Sequence, residues 1–152
     1  MNDDPDAIER EIFIEASPET IFEFLIEPSL MAQWIGLAHA LEPWPEGTFR
    51  VAVSPGYVTR GVYREVVRPR RVVFTWGWEE AEDATLRDLR PGTSLVEIDL
   101  EPRDGGTQVR LRHSGLTKAV SGRHDERWRH YLVRLAAAGR AREATNFKRR
   151  TK

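Results

Sequence analysis

Histidine offers the most informative polar chemistry in this sequence. His113 shares its alternation with Val109 and Leu111, so a β-strand there directs its imidazole toward the interior. An inward imidazole can hydrogen-bond a ligand oxygen or exchange a proton near neutral pH. The alternative is a structural role, in which a neutral His113 bonds to a backbone carbonyl or to Ser114. The sequence leaves both interpretations open.

Tryptophan is unusually frequent, with five residues in a chain of 152. Trp34, Trp76, Trp78 and Trp128 fall in elements whose residue pattern predicts inward side chains. Indole rings fill core volume, and they also line ligand pockets. The sequence therefore supports a packed aromatic core and an aromatic ligand pocket equally.

Two tyrosines and a second histidine can add polar groups to the same interior. Tyr131 lies at the edge of the apolar face of the last predicted helix, where its hydroxyl can reach inward. His124 lies on that face one turn before Trp128. The alternation of the strand around Tyr63 leaves the direction of its side chain open.

No combination of residues predicts a metal, a cofactor or covalent catalysis. The chain has no cysteine, and His124 and His130 are six positions apart, so no pair of histidines has the i, i+4 spacing of a helical metal site. There is no Gly-x-Ser-x-Gly turn and no Gly-rich phosphate loop. We therefore expect no metal, no cofactor and a non-enzymatic role, with His113 as the catalytic candidate if a reaction is catalysed.

The longest predicted element is an amphipathic helix near the carboxyl end. A single helix of this length is marginally stable in water, so its apolar stripe needs a partner surface, which the preceding strands can supply. Ser121 can cap its start and Gly139 can end it, which predicts a helix from about Ser121 to Ala138. The stripe follows helical spacing and consists of Trp128, Tyr131, Leu132, Leu135 and Ala136.

Segments with apolar residues at every second position predict β-strands upstream of this helix. Short turns at 54–56 and 104–106 join successive strands and favour an antiparallel meander. Pro18 and Pro28 open two short helices after the first strand. The predicted fold is α+β: a curved antiparallel sheet of about six to seven strands wrapped around a long C-terminal helix. The strand segments are 8–15, 39–43, 47–54, 58–67, 71–78, 93–101 and 107–113.

The bulk properties predict one ordinary globular domain over 1–152, with a basic, flexible tail at 140–152. The net charge is -1, from 23 basic and 24 acidic residues, which gives no electrostatic case for nucleic acid or an anionic membrane as partner. No apolar run is long enough for a membrane span, and the first residues lack the pattern of a signal peptide. A cytoplasmic location is expected by default.

Several motifs, in order and with consistent spacing, run from about Ile8 to Ala138. Each is weak alone, and their order and spacing together are fairly specific. Trp34, Trp128 and the pair Tyr131-Leu132 accompany them. The motifs are Ile14-Glu15-Ala16-Ser17-Pro18-Glu19, Trp44-Pro45-Glu46-Gly47-Thr48-Phe49-Arg50, Gly61-Val62-Tyr63-Arg64-Glu65-Val66, Pro69-Arg70-Arg71-Val72-Val73-Phe74-Thr75-Trp76-Gly77-Trp78, and Gly106-Thr107 through Arg112-His113-Ser114-Gly115-Leu116.

Together these motifs resemble the START-like (SRPBCC) helix-grip domains, and within them the AHSA-like group named after the activator of the Hsp90 ATPase. The resemblance implies a sheet that grips the long helix and leaves an apolar cavity between them. It does not imply one activity, because this fold carries many functions. The residues expected to line the cavity are Trp34, Phe49, Val51, Tyr63, Phe74, Trp76, Trp78, Val96, Ile98, Leu111, His113, His124, Trp128, Tyr131 and Leu132.

Three functional hypotheses follow. The preferred one is binding of a small hydrophobic ligand, aromatic or lipid-like, oriented by His113 and Tyr131. The second is an enzyme of cyclase or hydrolase type that uses the same cavity, with His113 as acid or base. The third is a protein-interaction module that stimulates a chaperone ATPase or binds another protein, with a stress response as the expected context. A homodimer is a further expectation.

Overall fold

The computed structural model describes residues 4–150, and in that range eight strands and four helices form an α+β fold. This confirms the predicted class, including the two short helices after the first strand. The strands are β1 (Ile8–Ile14), β2 (Leu37–Leu41), β3 (Thr48–Ser54), β4 (Tyr57–Val67), β5 (Arg71–Trp76), β6 (Trp78–Glu80), β7 (Ser94–Arg103) and β8 (Gly106–Ser114). The helices are α1 (Pro18–Glu23), α2 (Pro28–Met31), α3 (Ala84–Arg87) and α4 (Lys118–Arg150).

The sheet is antiparallel, in the order β1-β8-β7-β5-β4-β3-β2, and β6 pairs with β4. Residues that lie directly opposite each other in an antiparallel pair share a face, so the register aligns inward side chains across strands. One such row crosses five strands and is entirely buried. It consists of Tyr63, Phe74, Val96, His113 and Ile8.

The single strand predicted over 71–78 is divided in the structure at Gly77. A Cβ on Gly77 would lie 1.9 Å from the carbonyl oxygen of Arg90, so only glycine allows the loop after α3 to pass this close. The backbone N–H of Trp78 accordingly bonds to the carbonyl of Leu89 at 2.7 Å. The chain therefore leaves β7 at Gly77 and continues along β4 as β6.

Helix α1 begins as its sequence predicts, with Ser17 as N-cap accepting from the backbone N–H of Thr20 and Pro18 in the first turn. Glu143 of α4 then bonds to both hydroxyls, at 3.2 Å from Ser17 Oγ and 2.6 Å from Thr20 Oγ1. The start of α1 is thus held directly by the far half of α4.

Both predicted ends of the last helix are wrong, because α4 spans Lys118–Arg150 rather than about 121–138. Ser121 is not the cap; its hydroxyl donates to the carbonyl of Asp6, and its own N–H already bonds to the carbonyl of Thr117. Gly139 is not the end either. A Cβ at that position would lie 2.6 Å from Ile21 Cδ1, so this glycine lets α4 pack closely on α1.

The segment predicted as a basic, flexible tail at 140–152 is instead helical as far as Arg150, and 151–152 lie outside the described residues. Glu143 explains much of this continuation, because it joins the helix to α1. A long-range contact of this kind cannot be recognised from local composition.

Gly61 of β4 packs against β5, where a Cβ would lie 2.0 Å from the carbonyl oxygen of Thr75. A glycine within a strand is typical of a bulge or bend, but the register irregularities of β4 fall on either side of Gly61, between Val58 and Thr59 and between Tyr63 and Glu65. We expect Gly61→Ala to lower the free energy of unfolding by about 2 kcal/mol or more through overpacking against the backbone.

The matched control for this substitution is Gly122→Ala. Gly122 is exposed in α4, with no heavy atom within 4 Å of its added Cβ. There the higher helix propensity of alanine should raise stability by about 0.5–1 kcal/mol. Urea denaturation measures both values, and a loss for Gly122→Ala equal to that for Gly61→Ala would contradict the steric explanation.

The outward face of the central strands is charged and internally paired. Arg71, which belongs to the arginine cluster at 68–71, contacts Glu65 at 2.5 Å and Glu97 and Asp99 at 2.9 Å.

Among residues 4–150 there is no helix long and apolar enough to cross a bilayer.

Candidate functional site

The site is an aromatic and imidazole cluster between the sheet and α4, centred on His113. The register places Ser94 of β7 opposite Trp76 and on the same inward face as His113. Trp128 Nε1 donates to His113 Nδ1 at 2.9 Å, and Ser94 Oγ lies 2.8 Å from His113 Nε2. Ser94 Oγ itself donates to the carbonyl of Trp76 at 2.7 Å. These bonds assign the proton of His113 to Nε2 and make it a neutral imidazole.

A second imidazole lies beside the first and is bonded in a similar way. Trp78 Nε1 donates to His124 Nε2 at 3.1 Å, and His124 Nδ1 lies 2.8 Å from the carbonyl of Val120, to which it donates. The rings of His113 and His124 are 5.4 Å apart and nearly perpendicular. Each histidine therefore accepts from one indole and donates to one oxygen.

Both imidazoles are held neutral by their surroundings. Burial holds the pKa of His113 well below its ordinary value, and the nearby His124 acts in the same direction. Burial lowers the pKa of His124 to about 4, aided by the positive charges of Arg127 and Arg123. The bond to Val120 acts in the opposite direction and is weaker. Neither ring is ready to exchange a proton at neutral pH.

Trp76 differs from the other interior tryptophans, because its indole N–H has no partner among the described residues. Its side chain is only 1% exposed. The rings of Trp128, Trp78 and His113 surround it at centroid distances of 5.2, 5.7 and 5.8 Å. Buried donors are nearly always satisfied, so the indole N–H of Trp76 stands out as a donor whose bonding capacity the described residues do not use.

The fifteen side chains predicted to line a cavity are all buried, none more than 4% exposed. Trp34, Phe49 and Tyr63 take part in the same packed cluster, and the Tyr63 hydroxyl donates to the carbonyl of Leu25 at 3.0 Å. Tyr63 therefore faces the core, which settles its direction, and burial raises its pKa. That these residues contact a ligand stays a prediction.

Two further residues matter here, of which Ser94 was missed by the sequence reasoning. Ser94 shares its alternation with Val96 and Ile98, so its inward direction could have been recognised from the same pattern. Arg127 lies one helical turn before Tyr131, a spacing that brings their side chains together.

No group of three or more potential metal ligands occurs among the described residues.

A surface cleft of about 870 Å³ adjoins this cluster on the side of α4. Tyr131 belongs both to the wall of the cleft and to the predicted ligand set, and its ring lies 5.6 Å from that of Trp128. The Trp128 ring in turn lies 5.2 Å from that of Trp76, so Tyr131 connects the cleft to the aromatic cluster through ring contacts. The residues lining the cleft are Val53, Gly122, Arg123, Glu126, Arg127, Arg129, His130, Tyr131, Val133 and Arg134.

Comparison with solved structures agrees with this architecture. An AHSA1-like protein from Rhizobium etli, solved by NMR, is 37% identical, with 90% of this chain and 83% of that chain covered and a TM-score of 0.68. A protein from Mesorhizobium loti is 23% identical, covers 87% of this chain and 95% of its own, and has a TM-score of 0.76. The Aha1 dimer from Colwellia psychrerythraea is 19% identical over 87% and 94% of the two chains, with a TM-score of 0.70.

No curated protein sequence matches the chain at a significant level. The model of the family described as Activator of Hsp90 ATPase homolog 1-like protein matches residues 15–139, which include β2 to β8, the three short helices and the aromatic cluster. Because this match spans most of the chain and the Rhizobium etli relative is 37% identical, the chain belongs to the Activator of Hsp90 ATPase homolog 1-like family.

Proposed function

We propose that this protein binds a small hydrophobic ligand, aromatic or lipid-like, between the sheet and α4. The observation that carries the proposal is the buried indole N–H of Trp76, which has no hydrogen-bond partner among residues 4–150. Leaving such a donor unsatisfied costs about 1–3 kcal/mol, which a ligand oxygen placed there would recover. The aromatic rings around it would supply apolar contact at roughly 25 cal/mol per Å² buried.

The adjoining cleft supports an entry route. Its volume of about 870 Å³ lies within the usual range for small-molecule sites, roughly 300–1,000 Å³. Tyr131 lines the cleft and contacts Trp128, which in turn contacts Trp76. A ligand that enters from the cleft would therefore displace the rings of Tyr131 and Trp128 to reach the indole N–H of Trp76. His113 and Tyr131 remain the residues proposed to orient it, His113 once one of its bonds to Trp128 and Ser94 is exchanged for a bond to the ligand.

Indole N–H resonances in a ¹H–¹⁵N spectrum test this proposal, because the five tryptophans give five signals. Trp76→Phe identifies the Trp76 signal and keeps an aromatic ring in place. With 1-naphthol or decan-1-ol as probe, we expect this signal to move downfield as the N–H acquires an acceptor. Trp44→Phe is the matched control, since Trp44 is 55% exposed and is not one of the residues proposed to contact the ligand. An unmoved Trp76 signal with both probes would contradict the proposal.

The catalytic alternative has less support. Both ring nitrogens of His113 are engaged by Trp128 and Ser94, and its pKa lies well below neutral pH. A role as acid or base requires that one of these bonds first be exchanged for a substrate.

Family membership favours a second candidate function, stimulation of a chaperone ATPase. The family description refers to activation of the Hsp90 ATPase, and α4 exposes Val133 and Phe147, which are 59% and 60% accessible. The ATP hydrolysis rate of purified Hsp90 with and without this protein tests it.

A homodimer is proposed from the Colwellia psychrerythraea relative, which is a dimer, and light scattering in solution measures it.

A further inference from the structure

The cleft beside α4 is strongly basic, and its charge is only partly neutralised. Four arginines and one histidine line it, against the single carboxylate of Glu126. Arg123 pairs with Asp83, and Arg129 lies 2.5 Å from Glu126. No carboxylate among residues 4–150 lies within 4.0 Å of either of the remaining two arginines, Arg127 and Arg134.

Arg127 occupies the boundary between this cleft and the aromatic interior. Its guanidinium lies over the rings of Tyr57 and Trp78, 5.6 and 5.8 Å from their centroids. One of its N–H groups donates to the Tyr131 hydroxyl at 3.2 Å. The side chain is half-buried, and a guanidinium has five N–H donors, so most of them remain available on the cleft side.

The cleft also has apolar walls, formed by Val53 and Val133. A half-buried cation without a counter-ion is unfavourable, and a planar carboxylate is the group that a guanidinium binds best through paired hydrogen bonds. A molecule that satisfies both features has an anionic head and an apolar body.

We infer that the ligand of this protein is a carboxylate-bearing amphiphile, with its carboxylate held by Arg127 and Arg134 and an apolar part that runs past Tyr131 and carries a second oxygen to the indole N–H of Trp76. The inference rests on the proposed binding function and specifies the class of ligand. Arg127 is then the residue that determines specificity, because it is fixed by aromatic stacking before the ligand arrives.

Decanoate and decan-1-ol, which have chains of equal length and differ in the charge of the head, test the inference by isothermal titration calorimetry on the full chain. We expect decanoate to bind about tenfold more tightly or better, since charge-assisted hydrogen bonds are roughly twice as strong as neutral ones. Arg127→Gln should abolish this preference, because it removes the guanidinium charge that holds the carboxylate. Arg134→Gln should reduce the preference about threefold, and serves as the second variant if Arg127→Gln does not fold.

The matched control is Arg64→Gln, which removes an equal charge from an exposed pair with Glu46 outside the cleft and should keep the full preference. Equal binding of both probes by the parent protein would overturn the inference and leave the proposed function standing. A preference that survives in both cleft variants would also overturn it. If neither probe binds, the proposed function itself fails.

Discussion

Replacing Trp128 by alanine is expected to lower the free energy of unfolding by about 3–5 kcal/mol, as large aromatic truncations in cores do. Trp128 is 1% exposed, and its ring lies 5.2 Å from that of Trp76 and 6.4 Å from that of Trp34. The truncation leaves a cavity at the contact between sheet and α4. It also leaves His113 Nδ1 without its donor. Equilibrium denaturation in urea measures the change.

Two further variants separate the causes of this loss. Trp128→Phe keeps an aromatic ring and removes the indole N–H, so it should cost about 1–3 kcal/mol, the price of an unsatisfied buried acceptor. Trp44→Ala removes an indole that is 55% exposed and should change stability by about 0.5 kcal/mol or less. A Trp128→Ala midpoint no lower than that of Trp44→Ala would show that the ring is not part of the core.

Acidification from pH 7 to pH 4 is expected to destabilise the protein through its two buried histidines. In the unfolded chain an imidazole takes up a proton near pH 6.5, whereas folded His124 resists protonation until about pH 4. Between these values the unfolded state binds more protons, so stability rises with pH there. Protonation of His124 alone should lower the free energy of unfolding by about 3 kcal/mol once the pH is below the folded pKa of this residue. His113 acts in the same direction, because its folded pKa is also depressed.

Urea denaturation at successive pH values measures this dependence, with His124→Gln as the diagnostic variant. Whatever His124→Gln costs at pH 7, its stability should fall less steeply than that of the parent between pH 6.5 and 4.5. Carboxylates such as Glu143 and Asp83, whose pKa values are lowered by their hydrogen bonds to Thr20 and Arg123, lose their contribution only at lower pH in both proteins. Equal slopes for parent and variant above pH 4.5 would refute the assignment to His124.

The sequence by itself determined the fold class, the order of the main elements and most of the faces they bury, but not all of their ends. Alternation along β7 placed Val96 and Ile98 inward, and the pair Ser17-Pro18 marked the start of α1. The stripe on α4 required a partner, and only the sheet was available. These signals are local, because the period of a strand or helix repeats within a few residues, and each apolar inward residue indicates the same buried face. The class and the grip of sheet on helix followed from them.

The tertiary structure alone decided which side chains meet inside that frame. Gly139 reads locally as a helix end, yet it serves close packing against Ile21, and α4 continues to Arg150. The bonding of Trp128 to His113, and the absence of a described partner for Trp76, depend on strand register and on the rotation of rings from separate elements. The residue pattern along one element carries no information about strand register or ring rotation, because both are set only when distant segments pack together.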